Sequence, residues 1–288
     1  MKRIREKEEG PVITHLGDRE RDLLMMLYDM LFVDIDFVST YIYPEILPTS
    51  AHRRIRKLEE SGYIKSFKTP RADGVSVQNI KVICLDRLGV EEVEALTGES
   101  RWDTRWTKRT PTYIHHLIQL AKMRGILQEK QLPDFQFQTW IPERSSYYQY
   151  GQRKDDVIVP DGTVVFKRIV NDKAGDFAYF VEMERSRQRA AVSINKLRRY
   201  NEYMGRENGL AKHSIFETRP VITRVCFISA NENEKLRLIE HTKDVDTSKI
   251  QAVLYTTYDE VLNDPYGEIW CFKGREGKHT MWKIIRDA

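Results

Sequence analysis

Three carboxylates, far apart in the chain, make the strongest chemical suggestion. Asp161 follows Pro160 where a strand-like run bends, and the next such run, FAYFVEME, ends in Glu182 and Glu184. Residues two apart on a strand point the same way, so the two glutamates share a face. A hairpin joining the two runs would bring Asp161 beside them. Clustered carboxylates raise one another's pKa unless a cation neutralises them. Hard oxygen ligands of this kind suit Mg²⁺ or Mn²⁺, which can activate water against a phosphodiester. Asp161 and Glu182 are then the expected metal ligands, with Glu184 a third ligand or a water-orienting group. A plainer reading stands beside this one. Pro-Asp-Gly is an ordinary turn sequence, and the glutamates would be surface groups paired with Arg185, Arg187 or Arg189. Against it, Glu182 closes an apolar run of Phe177, Tyr179, Phe180 and Val181, where an unpaired carboxylate is costly.

Two cationic windows suggest a partner. Residues 50–71 hold seven Arg or Lys against Glu59 and Glu60, and residues 185–199 hold six with no acid. The formal net charge of the chain is only +4, so the polarity is local. Either window alone reads as a solvated helix face; two together point to a polyanion. The length of 288 residues suits about two domains, and 41% hydrophobic content excludes wholesale disorder. Asp29, Asp34 and Asp36 interrupt the most apolar stretch, Leu23 to Val38, so no run reaches the ~18–20 residues of a membrane span. The charged start MKRIREKEEG lacks a signal-peptide core. Cys84, Cys226 and Cys271 lie far apart without a CxxC pair, which excludes a disulfide framework or a zinc site of known spacing. A cytoplasmic protein is expected.

The elements that must position these residues follow from periodicity. After a charged lead-in (1–17), Asp18 offers an N-cap to a helix whose stripe is Leu23, Leu24, Leu27, Met30 and Leu31. A short helix from about Asp36 to Tyr43 is closed by Pro44. A third begins after Pro48, capped by Thr49 or Ser50, buries Ala51, Ile55 and Leu58, and stops at Gly62. Two strands follow, Tyr63 to Thr69 and Val75 to Leu85, around a turn at Asp73-Gly74. Three helices and a hairpin outline a winged helix-turn-helix over 18–100. The third helix leaves His52, Arg53, Arg54, Arg56 and Lys57 for a DNA major groove, and the wing adds Lys65, Lys68 and Arg71 for phosphate. A basic surface used only for protein contacts is the alternative. A connector (101–112) interleaves Trp102 and Trp106 with Arg101, Arg105, Lys108 and Arg109, which suits either stacking on nucleic acid or burial. From 113 to 288 the order helix, three strands, helix, strand, helix, strand indicates an α/β domain with a mixed sheet. The fold class is therefore α+β with two domains.

The second domain resembles the PD-(D/E)XK nuclease-like, restriction-endonuclease-like superfamily, through Pro160-Asp161, Glu182-Met183-Glu184 and the basic helix after them. Glu184 stands where the usual lysine would. The resemblance implies that the lysine can come from the following helix, where Lys196 is the candidate for stabilising charge on a transferring phosphate. It also includes members that bind without cutting. Taken from Asp18 to about Tyr258, the chain resembles the replication-relaxation family of plasmids and other mobile elements. The residues that carry this are His115 or His116, Trp140-Ile141-Pro142-Glu143, Pro160-Asp161-Gly162, Phe180 to Arg185, and Lys196-Leu197-Arg198-Arg199-Tyr200.

The leading expectation is a double-stranded-DNA-binding protein of a mobile element, acting in replication or relaxation. Its winged helix would read the site, and Arg185, Arg187 and Arg189 would grip the backbone. A Mg²⁺- or Mn²⁺-dependent endonuclease or nickase is the second, and a transcriptional regulator with a non-catalytic second domain the third. A homodimer is compatible with each, because winged-helix proteins often read paired half-sites.

Overall fold

The computed structural model describes residues 15–71, 79–170, 173–184, 189–206, 220 and 222–283. It divides into two compact units, residues 1–125 and 126–288.

The first unit opens with helix α1 (Asp18–Met30), which buries Leu23, Leu24, Leu27 and Met30. Asp18 is its first residue and Gly17 its N-cap, one position earlier than the sequence suggested. A two-residue strand, β1 (Val33–Asp34), leads into α2 (Ile35–Phe37) and a π-helical turn over Val38–Ile42. Asp34 caps α2 by accepting from the Phe37 amide at 2.8 Å. Helix α3 (Pro48–Glu60) has Leu47 as its N-cap rather than Thr49 or Ser50. Pro48 can begin the helix because a first-turn residue needs no N–H. Ala51, Ile55 and Leu58 are wholly buried along its inner stripe. Gly62, at φ +79°, adopts the left-handed conformation that ends the helix at low cost.

Strands β2 (Ile64–Pro70) and β3 (Asn79–Leu85) pair antiparallel from Ile64↔Leu85 to Pro70↔Asn79. The Asp73-Gly74 turn lies outside the described residues. Strand β1 joins on the far side of β3, giving a sheet in the order β1-β3-β2. Helix α4 (Arg87–Thr97) closes the group, capped by Asp86 and ended by Gly98 at φ +71°. In the connector, Trp102 packs edge-on to Trp106 at 5.6 Å and against Tyr28 at 5.4 Å, so aromatic packing within this unit engages both indoles. Helix α5 (Pro111–Glu129) spans the division at 125/126. Most of a helix that the sequence reading gave to the second domain is thus grouped with the first unit.

The second unit is built on a mixed sheet. Its strands are β4 (Phe135–Pro142), β7 (Gly162–Val170), β8 (Lys173–Glu184), β9 (Ile222–Ser229), β10 (Ala252–Thr257), β11 (Trp270–Phe272) and β12 (Lys278–His279), with β5 (Tyr148–Gln149) and β6 (Val157–Ile158) forming a separate pair. The order is β12-β11-β10-β9-β8-β7-β4. Pairs β8–β9 and β9–β10 are parallel, and the others are antiparallel. The run DDVIVPDGTVVFKR is not one strand: it breaks at Pro160-Asp161 into β6 and β7, which belong to different sheets. Helices α6 (Ala190–Met204) and α7 (Glu232–Thr242) contribute Leu197, Tyr200, Tyr203 and Leu238 to a core with Phe180, Phe227 and Tyr255. A short helix, α8 (Tyr258–Asn263), follows β10. Among the described residues, no helix is long and apolar enough to cross a membrane.

Candidate functional site

The register of β7 on β8 decides what Asp161 can reach. Gly162 pairs with Val181, and the Asp161 amide donates to the Val181 carbonyl at 3.0 Å, which extends the ladder by one step. Asp161 is therefore level with Glu182. Its carboxylate accepts the Met183 amide at 2.7 Å, so the side chain folds over the end of β8. Gly162 is extended rather than left-handed; a Cβ there would lie 2.3 Å from the Trp140 ring. The glycine of Pro-Asp-Gly thus serves the close approach of Trp140 from β4, not a tight turn.

Helix α6 supplies the cation. Lys196 Nζ donates to Glu182 Oε2 at 2.7 Å and to Glu184 Oε1 at 2.8 Å. Tyr200 lies one helical turn further along, on the same helix face. Its hydroxyl donates to the other Glu182 oxygen at 2.6 Å. The two glutamate side chains are 5% and 6% exposed, and that of Lys196 is 31%. Burial pushes the Glu182 carboxyl up, to about 7; Lys196 pulls against this, Asp161 adds to the rise, and the hydrogen bonds from Lys196 and Tyr200 lower it. Burial opposes the Lys196 charge, yet Glu182 and Glu184 together hold its ammonium above the usual lysine value. Burial and Glu182 likewise keep the Tyr200 phenol protonated, as its donor role requires.

The four residues singled out in the second domain, Asp161, Glu182, Glu184 and Lys196, therefore come together. Sequence reasoning did not give Tyr200 a role, although its spacing of four from Lys196 was a readable signal. It also missed Ser229, which the parallel register sets opposite Glu184. Glu184 Oε2 and Ser229 Oγ are buried without a hydrogen-bond partner. They border a cavity of about 20 Å³ that Ser193, Glu234, Arg237, Leu238 and His241 also line.

The acids fit a divalent cation poorly in this arrangement. An ammonium sits between Glu182 and Glu184, and a phenol takes the remaining Glu182 oxygen. Among the described residues, no three His, Cys, Asp or Glu side chains are placed to hold a metal ion.

In the first unit, His52, Arg53, Arg54, Arg56, Lys57, Lys65, Lys68 and Arg71 are all exposed. They are not equivalent. Arg54 Nη1 donates to Glu20 at 2.9 Å, Tyr43 donates to the same oxygen at 2.9 Å, and the guanidinium stacks 5.4 Å over the Tyr43 ring. Arg56 pairs with Glu60 at 2.8 Å. Glu59 accepts from Ser66 and pairs with Lys81 at 3.5 Å, tying α3 to the hairpin. Arg53, Lys57, Lys65 and Lys68 form no ion pair among the described residues. In the second cationic window, Arg189 is exposed at the N-cap of α6, while Arg185 and Arg187 lie outside the described residues.

The Replication-relaxation family matches residues 24–218. No curated protein matches the sequence. Two solved structures of the restriction endonuclease FokI, one of them bound to DNA, align at 12% identity over 87% of this chain, with TM-scores of 0.30 and 0.26. The alignments cover 44% and 45% of those chains, so this chain spans under half their length.

Proposed function

The chain belongs to the replication-relaxation family, and from that premise we propose that it binds double-stranded DNA of a plasmid or other mobile element during replication or relaxation. The observation that carries the reading is the outward face of α3. A dry stripe of Ala51, Ile55 and Leu58 fixes the helix, and Arg53 and Lys57, like Lys65 and Lys68 of the hairpin, are exposed and pair with no acid among the described residues. A rigid helix of this charge suits a major groove, and flanking lysines suit phosphates. The order of helices, the hairpin and the small sheet β1-β3-β2 support a winged helix-turn-helix as the carrier.

The second unit has a restriction-endonuclease-like role in this reading, holding the phosphate backbone near α6 with Arg189, Arg198 and Arg199 exposed on it. If six phosphate contacts form in all, affinity falls with salt at a log–log slope of about −5. A gel shift with the element's own DNA tests the assignment. Arg53→Ala weakens binding and leaves the fold intact; unchanged affinity would remove α3 from the interface. Sedimentation of the DNA complex reads whether two copies occupy paired half-sites.

Metal-dependent cleavage is the second reading. The meeting of Asp161 with Glu182 at adjoining strand ends favours it, and the position of Lys196 weighs against it. Nicking of supercoiled plasmid in Mg²⁺ that Asp161→Ala abolishes would establish it.

A further inference from the structure

Protein donors already hold three of the four glutamate oxygens of the cluster and one oxygen of Asp161, leaving Glu184 Oε2 as the open one. Lys196 bridges Glu182 and Glu184 at 2.7 and 2.8 Å, Tyr200 holds the second Glu182 oxygen at 2.6 Å, and the Met183 amide holds Asp161 at 2.7 Å. A magnesium-sized ion requires about six oxygens at about 2.1 Å in a near-octahedral shell and sheds its water reluctantly. To bring Glu182 into such a shell, the ion would have to displace either the ammonium from Oε2 or the Tyr200 hydroxyl from Oε1. The lysine has a further advantage. Its chain is tethered on α6, so it reaches the acids without losing the translational freedom that a cation from solution gives up. Its side chain is also more exposed than that of either glutamate.

We propose that Lys196 is the resident counter-ion of the Asp161–Glu182–Glu184 cluster and takes the place of a divalent cation. The wild-type acids then hold no Mg²⁺ or Mn²⁺. The inference concerns the cluster alone and stands apart from DNA binding by α3. It also accounts for Glu at position 184: a lysine there would put a second cation against Lys196, whereas a glutamate gives the ammonium two buried carboxylates to bridge. Buried carboxylates without a cation are costly, so removing the ammonium should create a metal site where none exists.

The test is a Mn²⁺ titration of the full chain without DNA, read by calorimetry and by the electron spin resonance of free Mn²⁺. Wild type shows no saturable uptake up to about 1 mM, the weak end of protein sites for divalent cations. Lys196→Gln takes up one Mn²⁺ per chain, roughly tenfold or more tighter than wild type, and loses that uptake when combined with Glu182→Gln. Lys196→Arg keeps a cation in place and behaves as wild type. If Lys196→Gln does not fold in metal-free buffer, its recovery on refolding with Mn²⁺ but not with EDTA carries the same conclusion. Saturable wild-type uptake matching that of Lys196→Gln overturns the proposal. So does a folded Lys196→Gln that gains no affinity. Neither result bears on the Arg53 gel shift, so the two readings fail separately.

Discussion

On α3, Arg53 and Lys57 hold their charged ends in solvent above a stripe that contains no polar atom, whereas on α6 Lys196 directs its charge onto two carboxylates that are almost wholly buried. Both helices are basic in sequence and both pack an apolar face on a sheet or hairpin. The difference lies in what compensates the charge. Water screens the exposed arginine and lysine, and they contribute little to folding. Two buried carboxylates compensate most of the charge of Lys196, so it contributes more to folding and is not available to an outside anion while its pairs persist. Charge counts in a sequence therefore do not distinguish a binding surface from an internal counter-ion; burial of the partner does.

The largest effect that could break this contrast is the loss of Lys196. Lys196→Ala strands Glu182 and Glu184, and removing one partner of a buried pair costs about 3–5 kcal/mol. Because the lysine side chain keeps 31% exposure, about 2–4 kcal/mol is the expectation here. Urea denaturation at neutral pH measures it. A loss indistinguishable from that of Arg53→Ala would mean that the two cations are alike after all.

The next effect depends on pH. Glu182 faces Asp161, Glu184, Lys196 and Tyr200, and its folded carboxyl titrates near 7 against an ordinary value of 4.5. A raised carboxyl binds its proton more tightly in the folded state. The stability it contributes is thus full below about 4.5 and is lost as pH rises through about 7. Lys196 stays charged across this window, because its own value is pushed upward, and adds no slope. Glu182→Gln should therefore gain on wild type between pH 5 and pH 8, by at most roughly 3 kcal/mol. Urea midpoints of the two proteins at both pH values provide the measurement. A constant difference would show that Glu182 is ionised throughout.

A smaller effect tests the bond that sequence reading missed. Tyr200→Phe removes one donor from a buried carboxylate and leaves the ring packed, at a cost of about 1–3 kcal/mol. The loss should be greatest above pH 7, where Glu182 carries its charge. Equal losses at pH 5 and pH 8 would assign the hydroxyl to packing alone.

Legibility in the sequence followed the range of the interaction. Period two on β8 put Glu182 and Glu184 on one face, and a hairpin sufficed to predict Asp161 beside them. Ala51, Ile55 and Leu58 likewise announced the inner stripe of α3. Properties fixed by long-range pairing were not readable. Strand β1 has only two residues, too few for a pattern. The neighbour of Glu184 depends on the parallel register of β8 on β9, which no local signal sets. Arg224 sits in the apolar run VITRVCFIS yet is 2% exposed. Its guanidinium donates to the carbonyls of Met281 and Lys283 from the far end of the unit, and it lies 5.4 Å over the Phe272 ring. The basic residues of α3 show the same limit: their exposure was predictable, but the acids that would engage some of them were not.

That last point yields the finest test of the contrast, within α3 itself. Arg53 and Arg54 are neighbours of identical chemistry, and the sequence gives no reason to separate them. In the fold, Arg54 closes a small network with Glu20 and Tyr43, in which Glu20 is only 13% exposed. Burial raises the Glu20 carboxyl, but its hydrogen bonds from Tyr43 and Arg54 outweigh that and hold it below the ordinary value. Arg54→Ala should then cost about 0.5–1 kcal/mol of stability, the scale of a partly screened pair, and Arg53→Ala less than about 0.5 kcal/mol. On DNA the order reverses if Arg54 stays with Glu20: Arg53→Ala reduces the salt slope by about 1, and Arg54→Ala reduces it less. Should both variants change the slope equally at unequal stability, Arg54 must leave Glu20 when DNA arrives. The network would then be a resting contact that phosphate displaces, which is the behaviour that the tighter and more buried pairs of Lys196 should resist.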